Sequence, residues 1–350
     1  MRIFVGLSGG VDSSVAAALL SEAGHEVSAF TLILGHADPD GVHRCCRPSD
    51  VRDARMVAER LGIAHYVWDY KDLFNEKVLT PFLSGYGGGT TPNPCGMCNR
   101  TVRFGAVMER VLRLGYDALA TGHYARAESG GLYRGIDRQK DQSYFLSRIR
   151  EAAILHLIFP LAHLTKPRVR QIAKDCSLPV FEKPESQEIC FVSGRTADFL
   201  SREIGDRPGD IVDTTGRVLG RHPGIHRFTP GQRRGIGISG AEPLYVTALD
   251  AKQNRVTVGT KDETFRRRVR LAECNFLVPP DNLRSIPTER RLTAQLRYRA
   301  KPAAVCIEQI SNDAMELTMA EPAFAPAPGQ IAALYDGDRV VASGLIAAAE

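Results

Sequence analysis

Hydrophobic and polar positions follow two different periods along this chain, and the changeover divides it. Ile3-Phe4-Val5-Gly6-Leu7 is a short, nearly unbroken apolar run, the pattern of a strand covered on both faces. The stretch DSSVAAALLSEAGHEV then sets Val15, Leu19 and Leu20 on one side of a helix, with Gly24 as its stop, and VSAFTLIL reads as a second strand. Ser49 is placed to cap a helix with the apolar stripe Val51, Ala54, Ala58 and Leu61, ended by Gly62 and followed by a strand at HYVWDY. Val107, Val111 and Leu114 mark a further helix before the strand-like DALATGHYA. Strands and helices in alternation predict an α/β domain with a doubly wound parallel sheet over residues 1–203.

After Gly205 the helical period fades. RPGDIVDTTGRVLGRHPG combines turn residues with short alternating segments and predicts turns and short strands over 204–264. From 265 to 350, RRVRLAECNFLV, LTAQLRYR, AAVCIEQI and MELTMA alternate between turns, as expected of a small antiparallel barrel or sandwich.

Composition narrows the function classes. With 43% hydrophobic and 24% charged residues the chain is an ordinary globular one, and no apolar run approaches the roughly 20 residues of a membrane span. The opening MRIFVGLSGG lacks a signal-peptide pattern, so the expected compartment is cytoplasmic, with no membrane partner. Eight cysteines in 350 residues are too sparse for a disulfide scaffold, which turns attention to thiol or metal chemistry. The net charge is +5, yet residues 201–300 hold 19 Lys and Arg against 11 Asp and Glu. That local excess suits either a polyanion or a solvated basic face.

The turn SGGVDSS, residues 8–14, joins the first strand to the first helix. Two glycines allow an anion close to the backbone, helix-start N–H groups face it, Ser8, Ser13 and Ser14 add hydroxyls, and Asp12 is a candidate Mg2+ ligand. No Lys follows as in GxxxxGK[ST], which excludes a Walker site. The segment resembles the SGGxDS signature of the ATP pyrophosphatase superfamily, which implies ATP as substrate, adenylation of an oxygen and release of pyrophosphate.

Cys95 and Cys98 stand three apart in TPNPCGMCNR, and Cys190 lies in ESQEICFVSG. A structural zinc site would ask for a second pair, whereas Cys176, Cys274 and Cys306 stand alone as inert core thiols would. The adjacent Cys45 and Cys46 receive no role. Together with ATGHYAR, KDQSYFL, TPGQRRGIGI, EPLYV, LRYR and PGQ, the cysteine segments make the chain resemble the tRNA-specific 2-thiouridylases along nearly its whole length.

The resemblance implies an ATP pyrophosphatase domain, a central domain and a C-terminal β-barrel. It places ATP against Gly6, Leu7, Ser8, Gly9, Gly10, Val11, Asp12, Ser13, Leu32 and Gly122. It makes Cys98 the nucleophile and Cys190 the persulfide bearer, sets Asn93, Pro94 and Cys95 beside the target base, and has His123, Lys140, Asp141, Gln142, Arg297, Tyr298 and Gln330 touch tRNA. The expected reaction is 2-thiolation of the wobble uridine: ATP adenylates the C2 oxygen, and sulfur from a donor or carrier protein displaces AMP.

One position departs from the family pattern, because many members have Asp where this chain has Cys95. Cys95, Cys98 and Cys190 could therefore hold a 4Fe-4S cluster by three irons, and that is the favoured expectation, ahead of a Cys190 persulfide resolved by Cys98. Two other classes compete: a pyrophosphatase-type enzyme activating a small carbonyl for amination, and a non-catalytic tRNA-binding protein. The first would need neither the basic barrel nor the paired cysteines, and the intact SGGVDSS and the three cysteines argue against the second.

Overall fold

The computed structural model describes residues 1–35, 47–184, 189–192, 194–240, 242–284 and 292–350. It divides into two compact units, one of residues 1–78, 95–191 and 338–340, the other of 79–94, 192–337 and 341–350. Cys45 and Cys46 lie outside the described residues.

In the first unit β1 (Arg2–Gly6), α1 (Val11–Glu22), β2 (Glu26–Ile33), α2 (Pro48–Leu61) and β3 (Ala64–Asp69) follow the expected alternation. Next come α3 (Pro94–Cys98), whose Pro94 is counted with the second unit, β4 (Ala118–Ala120), β5 (Ala125–Glu128), β6 (Gly131–Arg134), β7 (Leu157–Ile158) and α4 (Lys166–Asp175). Five strands form a parallel sheet in the order β3-β2-β1-β4-β7. Strand order reverses at β1 and β4, and beyond the carboxyl ends of such a pair an open α/β sheet leaves a crevice.

Alternation along β1 builds both faces of this sheet. Ile3 and Val5 share a core with Ala17 and Leu20 of α1 and with Ala54, Val57 and Ala58 of α2. Phe4 points the other way, its ring 5.7 Å from Phe30, 4.9 Å from Trp68 and 4.4 Å from Tyr116. Small residues Ala16, Ala17 and Ala18 let α1 bury nearly all round, against the sheet on one side and Val169 and Ala173 of α4 on the other.

Three local expectations shift. Pro48 rather than Ser49 opens α2, because its fixed φ suits a first turn, and the Asp50 carboxylate accepts from the Arg47 amide at 3.2 Å. The helix expected around Val107 is the end of a longer helical run that starts at Pro94, passes through π-type turns over Asn99–Val107 and finishes at Met108–Arg113. DALATGHYA splits in two: Ala118–Ala120 joins the parallel sheet, while Ala125 begins an antiparallel hairpin of β5 with β6.

The second unit carries α5 (Thr196–Ile204) and a four-stranded sheet of β8 (Gly209–Asp213), β9 (Val218–His222), β10 (Tyr245–Asp250) and β11 (Arg255–Gly259), ordered β10-β11-β8-β9. Ile211, Phe228, Val246, Val256 and Val258 fill its core. Then β12 (Phe265–Phe276), β13 (Leu292–Gln295), β14 (Ala303–Ile310), β15 (Met315–Phe324), β16 (Ile331–Asp336) and β17 (Arg339–Ala349) run in the order β12-β15-β14-β13-β16-β17. β12 also pairs with β17, so the six strands close into the expected barrel around Val269, Leu271, Leu317, Met319, Leu334 and Ile346. The start of β17 belongs to the first unit, where Arg339 and Val340 pair with Tyr133 and Leu132.

Candidate active site

The phosphate loop spans the end of β1 and the start of α1. Gly9 takes φ +71°, and a Cβ there would meet the Asp50 carbonyl oxygen at 2.3 Å, so the loop both turns left-handed and carries the first turn of α2 against its backbone. Gly122, just past β4, is equally constrained: its Cβ would stand 2.7 Å from the Asp12 carbonyl carbon and the Ser13 nitrogen. The chain leaving β4 therefore packs on the start of α1 through a glycine.

Hydroxyls fix the loop from within. The Ser8 amide donates to Ser13 Oγ at 3.1 Å, Ser13 Oγ donates to the Gly10 carbonyl at 3.1 Å, and Ser14 Oγ donates to the same carbonyl at 2.8 Å. Thr31 of β2, beside the buried Leu32, donates to the Leu7 carbonyl at 2.7 Å. Gly10, Val11 and Asp12 open the twelve-residue α1, whose N-terminal dipole favours an anion there.

Asp12 is not the open carboxylate that a Mg2+ ligand calls for. Lys166, buried at the start of α4, places Nζ 2.6 Å from Asp12 Oδ1 and 2.8 Å from Oδ2, and the Tyr124 hydroxyl donates to Oδ1 at 2.8 Å. Neither partner follows from local sequence, since Lys166 lies 154 residues from Asp12. The pair puts a cation beside an anion-binding loop that has no Walker lysine.

The thiols gather in the same unit. Cys95 and Cys98, an i, i+3 pair on α3, share a helix face. Asn99 Nδ2 donates to the Phe145 carbonyl at 3.3 Å and Arg100 donates to the Arg148 carbonyl at 3.1 Å, which fixes the helix just beyond Cys98. Cys98 is buried, Cys95 half-buried and Cys190 exposed. Burial pushes the Cys95 thiol up to about 12, and the neighbouring Cys190 and Cys98 thiols add to the rise against an opposing pull from Arg103.

The cluster expected of Cys95, Cys98 and Cys190 would need three thiolates converging on one site. Among the described residues no three His, Cys, Asp or Glu side chains stand close enough to hold one metal ion.

His123 follows Gly122 directly. Its Nδ1 is 2.8 Å from Thr121 Oγ1, and its ring lies 5.8 Å from Phe104 and 6.0 Å from Phe159. Burial, helped by Arg103, lowers its pKa to about 3, so it is a neutral imidazole at physiological pH. Arg103 thus acts on both His123 and Cys95, and together with the Gly122 contact it links the phosphate loop to the thiols.

Asp141 and Gln142 look inward. The Asp141 carboxylate accepts from the Gly135 amide at 2.9 Å, Ser143 Oγ at 2.8 Å and Arg134 at 3.1 Å. Gln142 Oε1 accepts from the Tyr124 amide at 3.0 Å while its own amide donates to the Tyr124 carbonyl at 2.9 Å. Both side chains brace the segment that carries His123 and Tyr124. Lys140 precedes them, half-buried, its amide donating to the Asp137 carbonyl at 3.1 Å.

In the second unit, motifs far apart in sequence interlock. The Thr91 amide donates to the Pro328 carbonyl at 2.7 Å, and Gln330 Nε2 donates to the Thr91 carbonyl at 2.9 Å. Arg297 donates to the Pro230 carbonyl at 2.9 Å, and the Arg299 guanidinium lies 5.4 Å from the Tyr298 ring centre. Thr91 Oγ1 reaches Thr229 Oγ1 at 3.4 Å. TPNP, with Asn93 and Pro94, is therefore anchored to the barrel's PGQ turn, and the LRYR turn to TPGQ.

Three family models match the chain in succession: a tRNA methyl transferase HUP domain over residues 1–194, a tRNA methyl transferase PRC-barrel domain over 197–260 and an aminomethyltransferase β-barrel domain over 266–346. Curated relatives match end to end. The tRNA-specific 2-thiouridylase MnmA of Persephonella marina is 44% identical, covering 99% of this chain and 100% of that protein. Those of a Synechococcus species and of Thermus thermophilus are 43% and 41% identical, each across 99% of this chain and across 97% and 94% of their own length. With the phosphate loop, the paired thiols and the barrel on one chain, and relatives this similar over its full length, the protein belongs to the tRNA-specific 2-thiouridylase family of the ATP pyrophosphatase superfamily.

Proposed function

We propose that this chain is a tRNA sulfurtransferase that replaces the C2 oxygen of the wobble uridine with sulfur, cleaving ATP to AMP and pyrophosphate. The observation that carries the reading is that the SGGVDSS loop, packed against Gly122, shares one compact unit with Cys95, Cys98 and Cys190.

The chemistry divides between the loop and the thiols. The uridine C2 oxygen attacks the α-phosphorus of ATP, a C–O–P linkage forms and pyrophosphate leaves. Donors on the loop and the Lys166 ammonium match the charge that grows on the departing phosphates. Mg2+ arriving with ATP would neutralise phosphate charge further.

Sulfur then enters through thiols. A donor protein leaves a sulfane sulfur on the exposed Cys190, whose accessibility suits that handover. The terminal sulfur attacks C2 and AMP departs with the oxygen. Cys98 then attacks the bridging Cys190 sulfur, which frees 2-thiouridine and leaves a Cys98–Cys190 disulfide for an external dithiol to reduce. Cys95, a thiol on the same helix face, borders this pair. Neutral His123 offers the target base a hydrogen-bonding group without a charge.

On the RNA side, TPNP anchored to PGQ and LRYR anchored to TPGQ form a backing for the anticodon loop, to which Asn93, Pro94, Tyr298, Arg297 and Gln330 contribute; Lys140 is a separate tRNA contact of the first unit. Methyl transfer, which the family-model descriptions name, calls on neither an ATP phosphate loop nor a thiol group.

Pyrophosphate release from ATP, measured with and without unmodified tRNA, tests the first half-reaction. Release that rises with tRNA supports the reading; release that ignores tRNA overturns it.

A further inference from the structure

Cys95 and Cys98 belong to one short helix, yet the proposed sulfur transfer uses only Cys98. Both stand as thiols rather than as a disulfide, Cys95 half-buried and Cys98 buried. In α3 their i, i+3 spacing puts the two Cα atoms about 5 Å apart. A disulfide spans Cα separations of about 4.4–6.8 Å, so the helix as it stands meets that requirement. Cys98 is also held in place: Thr101 Oγ1 donates to the Met97 carbonyl at 2.8 Å, and the side chains of Asn99 and Arg100 bond the Phe145 and Arg148 carbonyls.

Sulfur transfer as proposed ends with Cys98 joined to Cys190. In that state the exposed Cys190, which must take the next sulfur from the donor, is blocked. An external dithiol has to find this bond by collision. Cys95 already stands one helical turn from its buried end, an advantage equivalent to a very high local concentration.

Building on the proposed thiolation, we infer that Cys95 is a further catalytic residue, the thiol that releases Cys190 by disulfide exchange along the helix. Cys95 Sγ attacks Cys98 Sγ; an S–S bond forms between them as the Cys98–Cys190 bond breaks, and Cys190 leaves with the electron pair. The proton given up by Cys95 ends on Cys190, so one disulfide replaces another and neither an oxidant nor a reductant is consumed. Exposure of Cys190 lets water stabilise the departing thiolate. Burial raises the Cys95 pKa and the neighbouring Cys190 and Cys98 thiols add to the rise; once joined, those two carry no charge and their share is lost. The external dithiol that the proposed reaction already requires then reduces Cys95–Cys98, with Cys190 open to the donor.

With excess dithiol either disulfide is reduced, so the disulfide itself is the readout. Full-length protein is loaded at Cys190 with glutathione persulfide and freed of excess reagent. Unmodified tRNA and ATP then start one turnover without oxygen or dithiol. The reaction is stopped at intervals with acid and N-ethylmaleimide, and its peptides are mapped without reduction by mass spectrometry. In the wild type, Cys98–Cys190 is expected to appear first and to give way to Cys95–Cys98, which should exceed it by at least about tenfold at the end, with Cys190 alkylated. In Cys95→Ser, or in Cys95→Ala if the first does not fold, Cys98–Cys190 should persist. Cys98–Cys190 as the final wild-type species with Cys95 alkylated, or its absence from the folded variant, overturns the inference alone. 2-Thiouridine formed with neither disulfide overturns the proposed sulfur route with it, and a wild type that yields no 2-thiouridine overturns the proposed function.

Discussion

The Lys166 ammonium grips both oxygens of the Asp12 carboxylate, at 2.6 and 2.8 Å, inside the phosphate loop. In the proposed reaction this buried cation would do what a Walker lysine does elsewhere, although it arrives from another helix. Lys166→Met should lower tRNA-dependent pyrophosphate release by about 100-fold, the scale for loss of one preorganised electrostatic donor, and Lys166→Arg should recover part of it. Near-wild-type release by folded Lys166→Met would make the pair purely structural.

Gly122 offers a steric test of the nucleotide site. A methyl group there collides with the Asp12–Ser13 backbone, which cannot rotate aside, so Gly122→Ala must push the loop away from β4. The strain of an overpacked site, about 1–3 kcal/mol, should weaken ATP binding by about 10- to 100-fold while leaving tRNA affinity in place. Equal losses for both ligands would place Gly122 in folding instead.

Cys95 separates the two sulfur routes. As a thiol bordering Cys98 and Cys190, it should tolerate Cys95→Asp, with Arg103 near enough to balance the new charge. With a persulfide donor, the variant's thiolation rate should stay within about tenfold of wild type, a change of about 1.4 kcal/mol in barrier. Protein purified without oxygen that holds stoichiometric iron, and that loses iron and activity together in Cys95→Asp, would restore the cluster.

His123 makes stability depend on pH in a defined direction. Its folded pKa of about 3 lies below the ordinary value of 6.5, so between these limits the unfolded chain takes up a proton that the folded chain refuses. Its contribution is complete above pH 6.5 and falls as pH drops towards 3, by at most about 1.4 kcal/mol per pH unit. His123→Gln should flatten that part of a melting-temperature profile; an unchanged slope would mean that the ring is open to water.

What was readable in the sequence was what local pattern encodes. SGGVDSS sits where a strand meets a helix, and the expected strand at Ile3–Leu7 appears as β1 because alternation around Phe4 serves a sheet covered on both faces. Lys166 escaped notice because its partner is distant and KPRVR looks like any basic first turn. Asp141, which the resemblance sets against tRNA, is a buried acceptor for Gly135, Ser143 and Arg134, an arrangement set by the β6 turn that no local pattern announces. The three cysteines were legible as a set, whereas their unequal burial, with Cys98 buried and Cys190 exposed, is a tertiary property that no local pattern carries.

The reading as a whole stands on sulfur appearing in tRNA only when ATP and the thiols act together. Unmodified tRNA incubated with the purified protein, ATP and a persulfide donor, then digested and analysed by mass spectrometry, should yield 2-thiouridine at the wobble position. Omission of ATP, or Cys98→Ser, should reduce the product to background. Thiolation that persists without ATP or in Cys98→Ser, or a complete reaction that yields no 2-thiouridine, would contradict the account.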